Sequence, residues 1–232
     1  MSNEDFLRGI LNGQNLTQNQ IENLKNQSNA IVRIIVEEIG GNLTKFNGGS
    51  YAKGTMIRAS YDLDVVLFWP YNFQYSPQNL YSEVGSVLQR NGWNPRSKKV
   101  GWEIPFPGDF HIDVIPGKRI MNQRNYGYLY NRNLEKRFRT SVKKQVNFVK
   151  KTKRQDTIRL MKLWKKRKNV PIKTFILEDL VIKGCKGLER SSLEPQVIAS
   201  LDYISRYILT KRVVDVSNSN NVVTDDLTTE VK

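Results

Sequence analysis

Three aspartates and one glycine-rich turn are the groups in this sequence best suited to chemistry. Asp62-Leu63-Asp64 opens the run Tyr61-Asp62-Leu63-Asp64-Val65-Val66-Leu67-Phe68-Trp69, which is β-branched, aromatic and closed by Pro70, so it reads as a strand. Positions i and i+2 of a strand share a face, so both carboxylates point the same way. Paired carboxylates repel at neutral pH, and a divalent cation relieves that repulsion. Magnesium fits such a pair, because it takes carboxylates together with phosphate oxygens and water. Twelve residues before Asp62 stands Ser50, within Gly48-Gly49-Ser50-Tyr51-Ala52-Lys53-Gly54-Thr55. The glycines let the backbone approach an anion, and Ser50 adds a hydroxyl at a helix start. The turn therefore reads as a phosphate cradle built of backbone N–H groups. Asp113, in Phe110-His111-Ile112-Asp113-Val114-Ile115-Pro116, supplies a third carboxylate from a later strand. Two metal ions about 4 Å apart would then stabilise the attacking and leaving oxygens of an in-line displacement. The attack would fall on the α-phosphate of a nucleoside triphosphate, with pyrophosphate leaving.

An Asp-x-Asp pair alone is a weak signal, equally at home in a structural or calcium-binding strand. The turn and the later aspartate make the pattern specific. Several residues keep a second reading. Asp113 can be a paired structural aspartate. Lys53 and Thr55 suit either closure of the phosphate loop or capping of its helix. His111 shares the face of Asp113 and is given no general-base role. Trp69 and Trp164 read as core residues rather than base-stacking platforms. The basic runs Lys150-Lys151-Thr152-Lys153-Arg154 and Lys165-Lys166-Arg167-Lys168 are the usual make-up of a solvated helix face. Because they flank the helix that carries Lys162, they can equally form a positive rim. Such a rim would gather triphosphates or hold an RNA duplex through its phosphates.

The elements that must position these groups follow from periodicity. The first forty residues read as helical, with Ile21, Leu24, Ile31, Ile34, Ile35 and Ile39 on one face and Gly40-Gly41 as the stop. Ser76 and Pro77 start a helix that runs to Asn91. Strands are expected over 98–104 and 110–116, joined by a turn at Pro107-Gly108-Asp109. The stretch 133–151 is basic and in part helical. Further helices are expected over 156–168, 174–183 and 194–211, and the chain from Ser217 onward is polar with no core pattern. This predicts an α+β chain with a mixed sheet. The expected division is a catalytic lobe with its N-terminal helix over 1–120, a helical lobe over 121–216 and a polar tail over 217–232.

The turn, the Asp-x-Asp strand and the later aspartate together resemble the DNA polymerase β-type nucleotidyltransferase superfamily. Gly49-Ser50-x-x-Lys53-Gly54-Thr55 and Asp62-Leu63-Asp64-Val65-Val66 are most similar to oligoadenylate synthetases and the bacterial cGAS/DncV-like nucleotidyltransferases. Thr157 to Trp164 resembles their I-R-L-x-K-x-W helix. Thr174-Phe175-Ile176-Leu177-Glu178 resembles their S-Y-x-L-E helix start, with threonine in place of serine. Asp215 and Asn220-Asn221-Val222 resemble their D-P-x-x-P-x-N-N-V segment, with Val216 and Ser219 where prolines are usual. The likeness spans residues 40–223, close to the end of the sequence, where relatives usually carry a further helix; a short member or a shortened chain is expected.

The resemblance implies a bilobal polymerase-β-like fold and residue roles to go with it. Gly49 and Ser50, with Lys53 and Thr55 beside them, would hold the donor triphosphate. Asp62, Asp64 and Asp113 would bind two magnesium ions, or manganese in their place, with Asp113 helping to deprotonate the acceptor hydroxyl. Lys162 and Thr174 would contact phosphates. The implied activity joins nucleoside triphosphates into a short linear or cyclic oligonucleotide, a second messenger of antiphage or antiviral defence. Two other functions fit parts of the pattern: an RNA 3′-end nucleotidyltransferase of the tRNA CCA-adding type, and a catalytically degenerate RNA-binding module. Three intact carboxylates weigh against the last.

Composition sets the outer limits. Among 232 residues, 37 Lys and Arg face 22 Asp and Glu, a formal net charge of +15 that favours an anionic partner such as nucleotides or RNA. Cys185 and His111 are the only residues of their types, which excludes an internal disulfide, a zinc finger, a Cys-His protease and a Ser-His-Asp triad built within one chain. The sequence holds no apolar run long enough to span a membrane and begins without the pattern of a secretion signal, so a reducing, cytoplasmic setting is expected.

Overall fold

The computed structural model describes residues 1–107 and 110–226. Gly108 and Asp109 of the expected turn lie outside the described residues. In chain order the elements begin with helices α1 (Asn3–Gly13) and α2 (Gln18–Ile39), strand β1 (Thr44–Asn47), helix α3 (Gly49–Lys53) and strand β2 (Asp62–Trp69). Next come α4 (Pro77–Arg90), β3 (Arg96–Ser97), β4 (Trp102–Phe106), β5 (Phe110–Ile120), β6 (Gln123–Asn131) and β7 (Lys136–Thr140). Helices α5 (Val142–Lys150), α6 (Gln155–Arg167), α7 (Thr174–Gly184) and α8 (Leu193–Tyr207) precede the short strands β8 (Val214–Asp215) and β9 (Asn218–Val222). A 3-10 turn over Val223–Asp226 closes the described chain. None of the described helices is long and apolar enough to cross a membrane.

Two compact units divide the chain elsewhere than at residue 120. One comprises residues 16–52 and 60–144, and the other residues 1–15, 53–59 and 145–232. The first unit is a mixed sheet backed by helices, in strand order β1-β2-β5-β4-β3. Strand β5 is its hub. It runs parallel to β2 along one edge, while β4 and then β6 pair antiparallel with successive halves of the other. Beyond Asp64, β2 is buried on both faces from Val65 to Trp69, the pattern of a strand covered on both sides. Helix α2 begins at a capping box, where Thr17 Oγ1 accepts from the Gln20 N–H and the Gln20 side chain accepts from the Thr17 N–H. It ends at Gly40, whose φ of +71° suits glycine. The core of this unit joins Leu24, Ile31 and Ile35 to Leu63, Val65 and Leu67 of β2 and Leu80, Val84 and Leu88 of α4. Trp69 is fully buried, as its core reading required.

The second unit is helical. Its core gathers Val149, Ile158, Met161, Ile176, Leu177, Leu180, Val181, Cys185 and Ile204. Helix α1 belongs here, with Leu11 buried against Leu160 and Leu193. The single helical expectation over the first forty residues therefore splits in two, because Gln14 ends one helix and Thr17 caps the next.

Two stretches depart from the periodicity reading. Strand β5 runs past Pro116 to Ile120, and the basic segment after it forms the hairpin β6–β7. Its charges alternate with aromatics in strand fashion, with Arg137 over the Tyr128 ring at 4.7 Å and Arg139 over Tyr126 at 3.6 Å. The described part of the polar tail is also structured, and its order comes from polar contacts. Asp215 Oδ1 accepts from the Ser217 N–H at 2.8 Å, and Asp215 Oδ2 accepts from Asn221 Nδ2 at 3.2 Å, so β9 folds onto β8.

Two glycines make a paired test of this packing. A Cβ at Gly85 of α4 would lie 2.2 Å from Cζ2 of Trp102, so Gly85→Ala forces the ring to move. Overpacking costs about 1–3 kcal/mol, which outweighs the roughly 1 kcal/mol that alanine gains in a helix. A Cβ at Gly9 of α1 meets nothing within 4 Å, so Gly9→Ala keeps the gain. Urea unfolding should show Gly85→Ala less stable and Gly9→Ala more stable than the parent.

Candidate active site

The parallel register of β2 and β5 sets Asp64 directly opposite Asp113, and Asp62 opposite His111. The antiparallel register of β4 and β5 sets Glu103 opposite Asp113. Residues directly opposite share a face, so Asp62, Asp64, His111, Asp113 and Glu103 stand on one side of the sheet. The three aspartates singled out from sequence are thus brought together. Glu103 was missed, because β4 is short and its register cannot be read from spacing.

The glycine turn abuts this face. The Gly48 N–H donates to the Asp64 carbonyl at 2.8 Å, and the Ala52 N–H donates to the Gly48 carbonyl at 3.0 Å. Gly49 has φ of +51°, and a Cβ there would fall 1.5 Å from Asp64 Oδ2. Only glycine lets the backbone lie against this carboxylate. Ser50 Oγ donates to Asp62 Oδ1 at 3.3 Å.

Electrostatics on this face are strained by crowding. Burial pushes the Asp113 carboxyl up, against the pull of Lys98, and the neighbouring Asp62 charge adds to the rise. Lys98 Nζ lies 2.9 Å from Glu103 Oε2 and 3.1 Å from Asp113 Oδ2. Its hydrogen bond holds Glu103 below the ordinary carboxylate range. His111 Nε2 lies 3.8 Å from Asp62 Oδ2 and 3.9 Å from Asp113 Oδ1, beyond hydrogen-bond reach of both. A converging set of hard oxygen donors, one of them made costly to ionise by burial, fits a divalent cation that also takes phosphate oxygens.

The other sequence-selected residues belong to the helical unit. Lys53 is buried, and its Nζ pairs with Oε2 of the fully buried Glu178 at 2.7 Å. Glu178 Oε1 and Thr55 Oγ1 are buried without a hydrogen-bond partner among the described residues. Lys162 Nζ donates to the Thr55 carbonyl at 3.1 Å. Thr174 is the first residue of α7. The basic runs are not simply a solvated face. Arg154 is buried and donates to the carbonyls of Cys185, Leu188 and Glu189 beyond the end of α7, and Lys166 donates to the Ala59 carbonyl. Trp164 packs against the helical core.

The buried pair at Lys53 gives a stability test. Removing one partner of a buried ion pair strands the other charge and costs about 3–5 kcal/mol. Lys53→Met should lose that much in denaturant unfolding, and the double variant Lys53→Met with Glu178→Leu should recover most of it.

No family model matches the sequence, and no curated protein matches it by sequence. Solved structures do match its fold. CdnC of E. coli MS115-1, solved with ATP, is 18% identical, with a TM-score of 0.76 over 99% of this chain and 86% of that one. CdnG of Bradyrhizobium diazoefficiens, a CD-NTase solved in complex with GTP, is 12% identical, with a TM-score of 0.78 over 96% of this chain and 84% of that one. DncV of Vibrio cholerae, a cyclic AMP-GMP synthase solved with the linear intermediate 5′ pppA(3′,5′)pG, is 14% identical, with a TM-score of 0.74 over 94% of this chain and 80% of that one. At these identities the likeness is one of fold, and the chain carries the polymerase-β-like nucleotidyltransferase fold in its cGAS/DncV-like form.

Proposed function

We propose that the protein is a divalent-metal-dependent nucleotidyltransferase that joins nucleoside triphosphates into a short oligonucleotide, cyclic or linear, with release of pyrophosphate. The observation that carries this reading is the facing of Asp64 and Asp113 across β2 and β5, with Asp62 on the same side and the Gly49 backbone packed against Asp64. The shared fold with a cyclic AMP-GMP synthase supports the product class. A second-messenger role in antiphage defence rests on the family resemblance.

In this reading Asp62, Asp64 and Asp113 would hold two divalent ions, magnesium or manganese, which would supply charge neutralisation at the α-phosphate. The N–H groups of Gly49 and Ser50 and the Ser50 hydroxyl orient the donor triphosphate, the Gly48 N–H being taken by the Asp64 carbonyl. The acceptor ribose hydroxyl attacks the α-phosphorus as the bond to the bridging oxygen of the pyrophosphate breaks. Pyrophosphate leaves with that electron pair, and the hydroxyl proton passes toward Asp113. Lys162 and Thr174 are carried as further phosphate-contacting groups on the resemblance of their motifs.

The test is incubation with magnesium and labelled nucleoside triphosphates, with product analysis after phosphatase treatment. The expected result is pyrophosphate release and a small phosphatase-resistant product. Asp113→Ala should lower the rate at least about a thousandfold, since a lost metal contact removes several kcal/mol of transition-state stabilisation. Label found only on added tRNA would assign the 3′-end transferase function instead. No pyrophosphate from the parent under any condition would defeat the reading.

A further inference from the structure

One row of the sheet extends the acidic site beyond the three aspartates. Glu103 on β4, Asp113 on β5 and Asp64 on β2 stand side by side, and His111 stands opposite Asp62 in the row before. One donor atom from each of Glu103, His111 and Asp113 lies within 4.8 Å of the others. Donors on opposite sides of a small divalent ion lie roughly 4.2 Å apart at metal–oxygen bonds of about 2.1 Å. Modest side-chain rotation therefore closes this set around one ion.

Resting on the reading that the aspartates bind metal, we infer that the divalent-ion site of this chain includes His111 and Glu103, and that its imidazole makes it select manganese-class ions over magnesium. Manganese(II) is the weakest nitrogen binder of the first-row series, yet it accepts an imidazole beside carboxylates more readily than magnesium, which seeks oxygen donors and keeps its water. The position of His111 fits that role. Its Nε2 faces carboxylate oxygens of both Asp62 and Asp113 from 3.8 and 3.9 Å, the spacing of groups that share an ion rather than a proton.

Lys98 sharpens the inference. Its ammonium already stands on Glu103 and Asp113, so these carboxylates gather positive charge without an ion. The two carboxylates are largely buried, at 18% and 14% side-chain exposure, and Lys98 is the open side of this pair. The Lys98 side chain is 42% exposed and can swing into solvent when an ion takes its place. Lys98 and the metal therefore compete for the same oxygens.

The experiment uses the full chain without nucleotide. Manganese is added and electron spin-echo envelope modulation reads nitrogen coupling to the bound ion, while calorimetry compares manganese with magnesium. Nitrogen modulation is expected in the parent. His111→Asn should abolish it and narrow the manganese-to-magnesium preference by about tenfold, while Lys98→Gln should tighten manganese binding several-fold. Absence of nitrogen modulation in the parent, or an unchanged preference in His111→Asn, overturns the inference. The parent spectrum needs no variant to fold. A parent that shows nitrogen coupling but releases no pyrophosphate would separate failure of the proposed function from failure of the ion site.

Discussion

Strand β2 runs parallel to β5, and everything at the acidic face depends on that pairing. A slip of one residue would turn Asp62 and Asp64 inward and bring Leu63 and Val65 out. The register is held by burial on the opposite face, where Leu63, Val65, Ile112 and Val114 are nearly inaccessible to solvent. Hydrophobic packing on one side of the sheet thus enforces electrostatic crowding on the other. Coulomb repulsion between close carboxylates would relax if either strand could shift, and the core leaves neither strand free to do so.

The glycine turn belongs to the same constraint. Asp64 sits where a side chain at position 49 would have to be, so the turn and the strand are matched atom to atom. A backbone that must adopt a positive φ while touching a carboxylate has no other solution than glycine. The crowding also explains why Lys98 lies over Glu103 and Asp113: a lysine is the local answer to charge that the sheet gathers. The net charge of +15 takes on a more specific meaning here. Part of the basic surplus is committed to structure, with Arg154 on three carbonyls, Lys53 on Glu178 and Lys98 on the acidic row.

Much of this was legible in the sequence, and the rest was not for physical reasons. The period-2 run from Asp62 and the apolar run around Asp113 disclosed two strands and their outward carboxylates, because alternation is a local property. Ser76 with Pro77 disclosed the start of α4, because a cap is also local. Glu103 escaped notice because its place beside Asp113 depends on register between separate strands. The hairpin β6–β7 was hidden by exposed basic residues whose guanidinium groups lie over tyrosine rings of the neighbouring strand. The partner of Lys53 lies 125 residues away in sequence, beyond the reach of any spacing argument. Arg154, within a run of lysines, gave no sign that it alone would be buried.

The central claim is that Asp62, Asp64 and Asp113 form one metal-binding centre for a nucleoside triphosphate. A crystal grown with manganese and a non-hydrolysable triphosphate would test it through anomalous scattering. The account predicts anomalous peaks about 2 Å from oxygens of these three carboxylates, with triphosphate oxygens completing the coordination. A triphosphate bound elsewhere, or an acidic face with no anomalous peak while the nucleotide is present, would contradict it.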